Sequence, residues 1–440
     1  MTQLAAQDKP KKNKLPSRFL IIWMGQLISN IGSGLTGFAL GIYVFQLTGS
    51  ATSYSLILLA AFLPSLLLKP IGGTLSDRLN RQILMIIGDL GSALGVIFII
   101  IMMFIGKTDL WLIYLGTMIS SIFVAFQNPA YKASVTDLVD KEFYSKASGL
   151  MQLAESSKYL ISPIVAGFLL IVIDIKQILI IDAFTFLVAA CTVFWMKANH
   201  TDTKQADANQ HFIKDFLDGF KYFFSNQGII LLISIISFIT FFIGLFQALL
   251  GPMILSFTNS ETFGVSLTLS TTGMMIGSFF IGIFGKSTKR IPVLSVSLIL
   301  SGIFFSLLGI STNIIIITLF GFLFFLVLPF VNTSLDVLVR RNVANSMQGR
   351  IWSIVSLFSQ LGYLIAFGIA GYLADKIFNP LLQPNGALSA TVGHLIGTGN
   401  GRGIGLIFII SGLFVAITAI VIGRLKKLKE LDNFDECSIS

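Results

Sequence analysis

Charge is what this sequence lacks most. Only 12% of its 440 residues are Asp, Glu, Lys or Arg, about half the share of a soluble domain. Histidine occurs three times and cysteine twice. Cys191 and Cys437 give neither a disulfide framework nor metal-ligand spacing, so no metal and no cofactor is expected. Three histidines are too few for the clustered His, Asp or metal ligands that a membrane-embedded lipid-modifying enzyme needs, which leaves that class as a distant alternative. Strict apolar–polar alternation is also missing, which excludes a membrane β-barrel.

What fills the chain instead is long apolar runs. Hydrophobic residues make up 54% of it, with 40 Phe. Length alone suggests two or three soluble domains, but many runs reach the ~20 residues that cross a bilayer. Lipid offers no partners to backbone N–H and C=O groups, so such runs must be helices. Twelve spans are predicted: 19–46, 53–75, 83–104, 110–128, 149–171, 178–197, 229–250, 263–285, 292–311, 314–335, 350–373 and 403–424. The first is uninterrupted and has no small-residue cleavage site close behind it, so it is read as a retained helix.

The basic residues sort by side. Lys107, Lys176, Lys376 and Arg402 fall in the segments on one side and Lys69 and Lys158 inside spans; the other 24 of the 30 Lys and Arg share the opposite side. By the positive-inside rule both termini are cytoplasmic, in a multi-pass protein of the cell membrane. The net charge of +9 is thus a topology signal, and no nucleic acid is expected as a partner.

The chain repeats itself. "PAYKASVTDLVDKEFYSKASG" from Pro129 aligns with "PFVNTSLDVLVRRNVANSMQG" from Pro329, and Pro129/Pro329, Ser134/Ser334, Leu138/Leu338, Val139/Val339 and Gly149/Gly349 coincide. Each stretch leads from an even-numbered span into the next. A weaker echo sets Gly73, Asp77 and Arg81 against Gly282, Lys286 and Arg290. The expected fold is an all-α membrane protein of twelve transmembrane helices in two pseudo-symmetric six-helix halves. Its divisions are a tail 1–18, a first bundle 19–197, a linker 198–228, a second bundle 229–424 and a tail 425–440. In the linker Phe212, Phe216, Phe220 and Phe223 recur at helical spacing among charges, which predicts an amphipathic helix on the inner membrane face. Duplicated halves are the mark of transporters that work about a central site.

The short loop "GGTLSDRLNR" between spans 2 and 3 resembles the signature of the major facilitator superfamily, G-x-x-x-D-R-x-G-R-R/K. Gly73, Asp77, Arg78 and Arg81 match; Asn80 stands where the family prefers Gly, and Gln82 where it prefers a base. "FLDGFKYFFSNQGI" and "FQNPAYKASVTDLVD" are similar to segments of the macrolide-efflux branch of the twelve-span drug exporters. The resemblance implies the major facilitator fold and a monomer that exports lipophilic or amphiphilic small molecules, macrolide- or multidrug-like, by proton antiport with rocking halves. It also implies a gate in which Asp77 contacts the start of span 11, near Ser346–Arg350. A lysophospholipid or siderophore transporter of the same fold is the alternative. Two positions depart from the antiporter pattern: Ser120 stands where many drug antiporters carry an Arg in span 4, and the span 5 signature is degenerate between Lys158 and Gly167.

Charges within spans are expensive and functional by default. Lys69 and Asp89 lie at equal depth on spans 2 and 3, seven residues before and after the loop, which predicts an ion pair. Glu155 and Lys158 share a face of span 5 and are predicted to pair. Glu155 is the first candidate for a proton carrier, Asp89 the next; Asp182 is assigned to capping or packing. On the resemblance, spans 1, 4, 7 and 10 line a central cavity, offering Gln26, Asn30, Ser33, Ser120, Gln127, Phe238, Phe242, Gln247, Phe324 and Asn332. An apolar, aromatic and amide lining suits a bulky amphiphile, with membrane lipids as neighbours. The segment 374–402 with its glycines is read as a lid or a floppy loop, and His394 as exposed.

Overall fold

The computed structural model describes residues 15–198, 224, 226–284, 289–343 and 348–432; the side chains of residues 77, 197, 198, 284, 348–350, 352 and 353 lie outside that description. Span 1 is Ser17–Thr48, span 2 Ala51–Arg78, span 3 Arg81–Phe104 and span 4 Leu110–Leu138. Span 5 is two helices, Tyr144–Leu160 and Ser162–Val172, meeting at a bend of 40°. Span 6 is Ile175–Ala198. Spans 7 to 10 are Gln227–Leu255, Ser260–Phe284, Arg290–Leu308 and Ile314–Asn342. Span 11 is Gln348–Tyr372, continued by a π-helical turn, Leu373–Phe378, and a short helix, Asn379–Leu382. Span 12 is Arg402–Arg424, followed by the helix Lys426–Asp432. Eleven helices are long and apolar enough to cross a membrane, and the bent pair makes a twelfth span.

The starts of the helices follow from capping chemistry, since the first turn of a helix leaves N–H groups without partners. Ser50 accepts from the Ser53 amide, Asn226 from those of Gly228 and Ile229, and Asn313 from Ile315. Asn80, the departure from the family signature, accepts from the Gln82 and Ile83 amides and caps span 3.

Several helices outrun the apolar cores predicted for them. Span 4 continues to Leu138 and span 10 to Asn342, so the repeated stretches after Pro129 and Pro329 are helical projections rather than loops. Ser134 and Ser334 are both buried and return hydroxyl bonds to the Tyr131 and Phe330 carbonyls. The expectation of one continuous span 5 is corrected. The helix breaks at Ile161, where Pro163 lacks the N–H an unbroken helix would use, and the Ser162 hydroxyl instead donates to the Ile31 carbonyl of span 1. The segment 374–402 is not a floppy loop: it carries the π turn, Asn379–Leu382 and Val392–Ile396, and a small core of Leu382, Ile396 and Leu406. His394 is exposed. The predicted amphipathic helix in 198–228 lies outside the described residues, apart from Ala198, Phe224 and 226–228.

The bundle has two faces. Ser17 and Asp432 lie at one, called here the terminal face; the other is the distal face. The largest hydrophobic core runs through both halves, joining Leu35–Ile57, Ile99 and Ile178 of the first to Phe246, Leu294 and Phe367 of the second. Its members from the first half come from the distal ends of spans 1 to 6. At the terminal face the first half has a core of its own, with Phe19, Ile22, Met85, Tyr131, Phe143 and Val193 and no residue of the second half. Among the described residues, therefore, the halves share a core distally, and the terminal-face core of the first half includes none of the second.

Candidate gate and coupling site

The weld is built from specific contacts. Asp375, on the π turn of span 11, reaches the first turn of span 2 in the other half. Its carboxylate accepts four hydrogen bonds: from the Ser50 hydroxyl (2.7 Å), the Ala51 amide (3.1 Å), the Thr52 amide (2.8 Å) and the Thr52 hydroxyl (2.7 Å). A carboxylate at a helix N-terminus meets orphan N–H donors and the positive end of the helix dipole. One turn earlier on span 11, Gly371 lets the two helices touch. A Cβ there would run into the Thr52 Cα, the Ala51 carbonyl and the Ser55 hydroxyl. On the same face Phe38 of span 1 stacks on Phe263 of span 8, with ring centroids 4.9 Å apart. Phe62 of span 2 meets Tyr363 and Phe367 of span 11 at 5.9 and 5.7 Å.

The sequence signature at the other end of span 2 is only partly visible. Arg81 is anchored: its guanidinium donates to the Ala133 carbonyl, Thr136 and Asp137 on span 4 and pairs with Asp137 at 3.0 Å. Arg78 is exposed. The Asp77 side chain and residues 344–347 lie outside the described residues, so the expected gate contact does too. Gly72 packs its backbone on the Ala125 carbonyl of span 4, while Gly73, the residue that matches the signature, has open space around it.

The charges within spans are arranged differently from the predicted pairs. Asp89 is 2% exposed and accepts from Gln26 of span 1 at 3.0 Å. The Gln26 carbonyl in turn accepts from Gln127 of span 4 at 2.5 Å. This chain ties spans 3, 1 and 4 together, and no cation joins it among the described residues. The predicted Lys69–Asp89 pair is corrected: equal depth did not mean facing sides, and Lys69 is exposed. The predicted Glu155–Lys158 pair is corrected as well. Glu155 bonds Lys132 of span 4 at 2.9 Å, with both side chains partly open to solvent. Asp182 is buried on span 6 and accepts from the Thr185 hydroxyl.

The cavity candidates divide. Gln26 and Gln127 belong to the Asp89 network, and Ser120 packs against Gly95 of span 3. Phe324 is core, enclosed by Phe246, Phe305 and Phe325. Phe238 and Phe242 line a groove of about 710 Å³ with Phe358, Gly362 and Phe414, between spans 7, 11 and 12. Gln247 is the one exposed position in a run of buried residues from Phe242 to Ile254. Asn30 and Ser33 are half-buried and Asn332 is exposed. Asp375 and the Lys132–Glu155 bridge were not anticipated. Only the step from an apolar run into "GYLADK" hinted at Asp375.

Two six-span halves that share a core at the distal face, with a separate core in the first half at the terminal face among the described residues, have the architecture of a multi-pass membrane transporter. The sequence profile of the Major Facilitator Superfamily matches residues 22–366, and the chain belongs to that superfamily, whose members are transporters rather than enzymes. It is 26% identical over 432 residues to "Macrolide efflux protein A" of Streptococcus pyogenes, covering 96% of this chain and 99% of that protein. "Multidrug resistance protein 1" of Bacillus subtilis (strain 168) is 27% identical over 79% of this chain and 89% of its own length. Among solved structures, a bacterial homolog of the human lysosomal transporter Spinster, described as inward-facing and unoccupied, superimposes with a TM-score of 0.70 at 13% identity, covering 96% of this chain and 98% of that one. The nucleoside transporter NupG gives 0.67 at 14% identity, over 93% of this chain and all of that one.

Proposed function

We propose that this protein exports lipophilic or amphiphilic drug-like molecules from the cytoplasm in exchange for protons, by rocking its two halves. The observation that carries the reading is the one-sided weld: Asp375 on the first turn of span 2, beneath a core continuous across the halves. Such a contact is polar and reversible, and it closes one face while the other stays parted. The basic residues put the terminal face in the cytoplasm, so this is the state open to the inside. Asp77, at the opposite end of the same helix, holds the alternate state.

Asp89 is the coupling residue in this reading. Glu155 is tied to Lys132 and partly open to solvent, so it is not an isolated carboxylate. Asp89 is sealed among amides with no cation beside it, where gaining and losing a proton changes the charge of the protein interior. Its link through Gln26 to Gln127 reaches spans 1 and 4, the pair that lines the pathway in the resemblance. The test is uptake of a fluorescent amphiphilic dye into everted vesicles, with and without an imposed pH gradient. Asp89→Asn keeps the bond to Gln26 and removes titration. It should abolish gradient-driven uptake while leaving substrate binding within about twofold. Gradient-driven uptake at the wild-type rate in that variant would remove Asp89 from the mechanism.

A further inference from the structure

Beyond the export of amphiphiles, and resting on that reading, we infer that the cargo carries a negatively charged head group, which the lysines Lys69 and Lys132 receive. Charged side chains of spans 2, 4 and 5 lie near one another. Lys132 is bonded to Glu155, and Lys69 lies within electrostatic reach of both. Spans 4 and 5 scarcely pack on each other, so the Lys132–Glu155 bridge crosses an opening rather than a helix contact. Glu155 is a single acid facing two lysines. The bond to Lys132 uses its charge, and Lys69 makes no hydrogen bond or ion pair among the described residues. Two ammonium groups that repel each other beside one carboxylate leave a net positive site. A carboxylate or phosphate between them would remove the repulsion and gain charge-assisted hydrogen bonds.

Among the described side chains, acids are scarce along the rest of the spans. From residue 227 to residue 374 the chain contains only two acids, Glu261 and Asp336. Glu261 starts span 8 at the distal face, and Asp336 is held by Arg340 one turn away at 2.8 Å. In the first half Asp89 and Asp182 are sealed inside the bundle, and Asp137 is bound by Arg81. The internal repeat sharpens the contrast. The residue that answers Lys132 across the two halves is Asn332, equally exposed but uncharged. A molecule lying between the halves therefore meets cations on one wall and an amide on the other.

The experiment uses two probes with one tail and opposite heads: 11-(dansylamino)undecanoic acid and 11-(dansylamino)undecylamine. Binding is read by dansyl fluorescence on the full-length protein in nanodiscs of zwitterionic lipid. The acid should bind at least about tenfold more tightly than the amine, as expected for a charge-assisted contact. Lys69→Gln should cut that preference to about threefold or less, Lys69→Arg should keep it, and Glu155→Gln should widen it. The arginine variant guards against misfolding as the cause of a loss. Equal binding of the two probes, preference for the amine, or a preference untouched in Lys69→Gln would overturn the inference while leaving amphiphile export intact. Failure of both probes to bind would sink the export reading and this inference together. Repeating the titration in nanodiscs with phosphatidylglycerol separates two sources of the anion. Competition identifies the bilayer's own acidic lipid as the occupant, and no competition identifies the exported molecule.

Discussion

Asp375→Asn is the substitution that tests the distal closure most directly. The native carboxylate takes four hydrogen bonds from Ser50, Ala51 and Thr52. Span 2 retains its own cap, because the Ser50 hydroxyl still accepts from the Ser53 amide. The loss therefore falls on the contact between halves and not on the helix. An anion at a partly buried helix N-terminus contributes up to ~2 kcal/mol. Hydrogen bonds to a charged acceptor contribute ~1.5–3 kcal/mol, and the two figures overlap rather than add. Asparagine keeps the shape and loses the charge, so the closed state should weaken by about 2 kcal/mol, a shift of roughly 30-fold in a two-state equilibrium. Gln247 serves as the reporter: it is exposed on span 7, one turn before Gly251, which packs against Tyr54 of span 2. With Cys191 and Cys437 replaced by serine, a cysteine at position 247 is labelled with a membrane-impermeant maleimide added to intact cells. Labelling that passes through a minor open state proceeds in proportion to its population. Asp375→Asn should accelerate it roughly 30-fold and Asp375→Ala at least as much. An unchanged or slower rate in protein with a wild-type thermal midpoint would refute the reasoning.

Asp77→Asn should act with the opposite sign. By weakening the hold at the other end of span 2 by ~0.3–2 kcal/mol, it should slow labelling of the same cysteine from outside by a factor of roughly 2 to 30 and cut transport without lowering expression; faster labelling would contradict the assignment. The adjacent glycines should also part company. Gly72→Ala forces a methyl onto the Ala125 carbonyl and should cost ~1–3 kcal/mol of stability, seen as a lowered thermal midpoint, whereas Gly73→Ala meets nothing and should be tolerated; equal effects would mean that span 2 packs differently.

The spans were legible because hydropathy over twenty residues is a strong signal, and the two halves because Pro129 and Pro329 head matching stretches. The pairings were not legible, for a geometric reason. Counting residues from a loop gives the depth of a side chain, but rotation about the helix axis is set by neighbours the sequence does not show. Lys69 and Asp89 share a depth and face different ways. Glu155 and Lys158 do share a face, yet Lys132 on the next helix holds the nearer donor. Phenylalanine is ambiguous in another way, because lipid, core and cavity all accept it: Phe324 is core and Phe238 borders a groove. Asp375 was beyond reach, since its partners lie 323 to 325 residues away.

The seam between the halves has a consequence for how fast it can part. Gly371 meets the backbone of span 2, and the same happens where spans 5 and 8 touch: a Cβ on Gly167 or Gly264 would strike the Ser260 or Pro163 carbonyl. At these places peptide lies on peptide, with no side chain lodged in the opposite wall. Adhesion of this kind is short-ranged. Once these backbone surfaces separate by the width of a water molecule, most of their own attraction is gone, while the aromatic contacts of Phe38 and Phe62 have still to be parted. The carbonyls uncovered at the distal face find water at once. Such joints hold firmly at contact and release early, so the glycine contacts and the four hydrogen bonds of one aspartate set the first part of the climb, and the aromatic pairs set the rest.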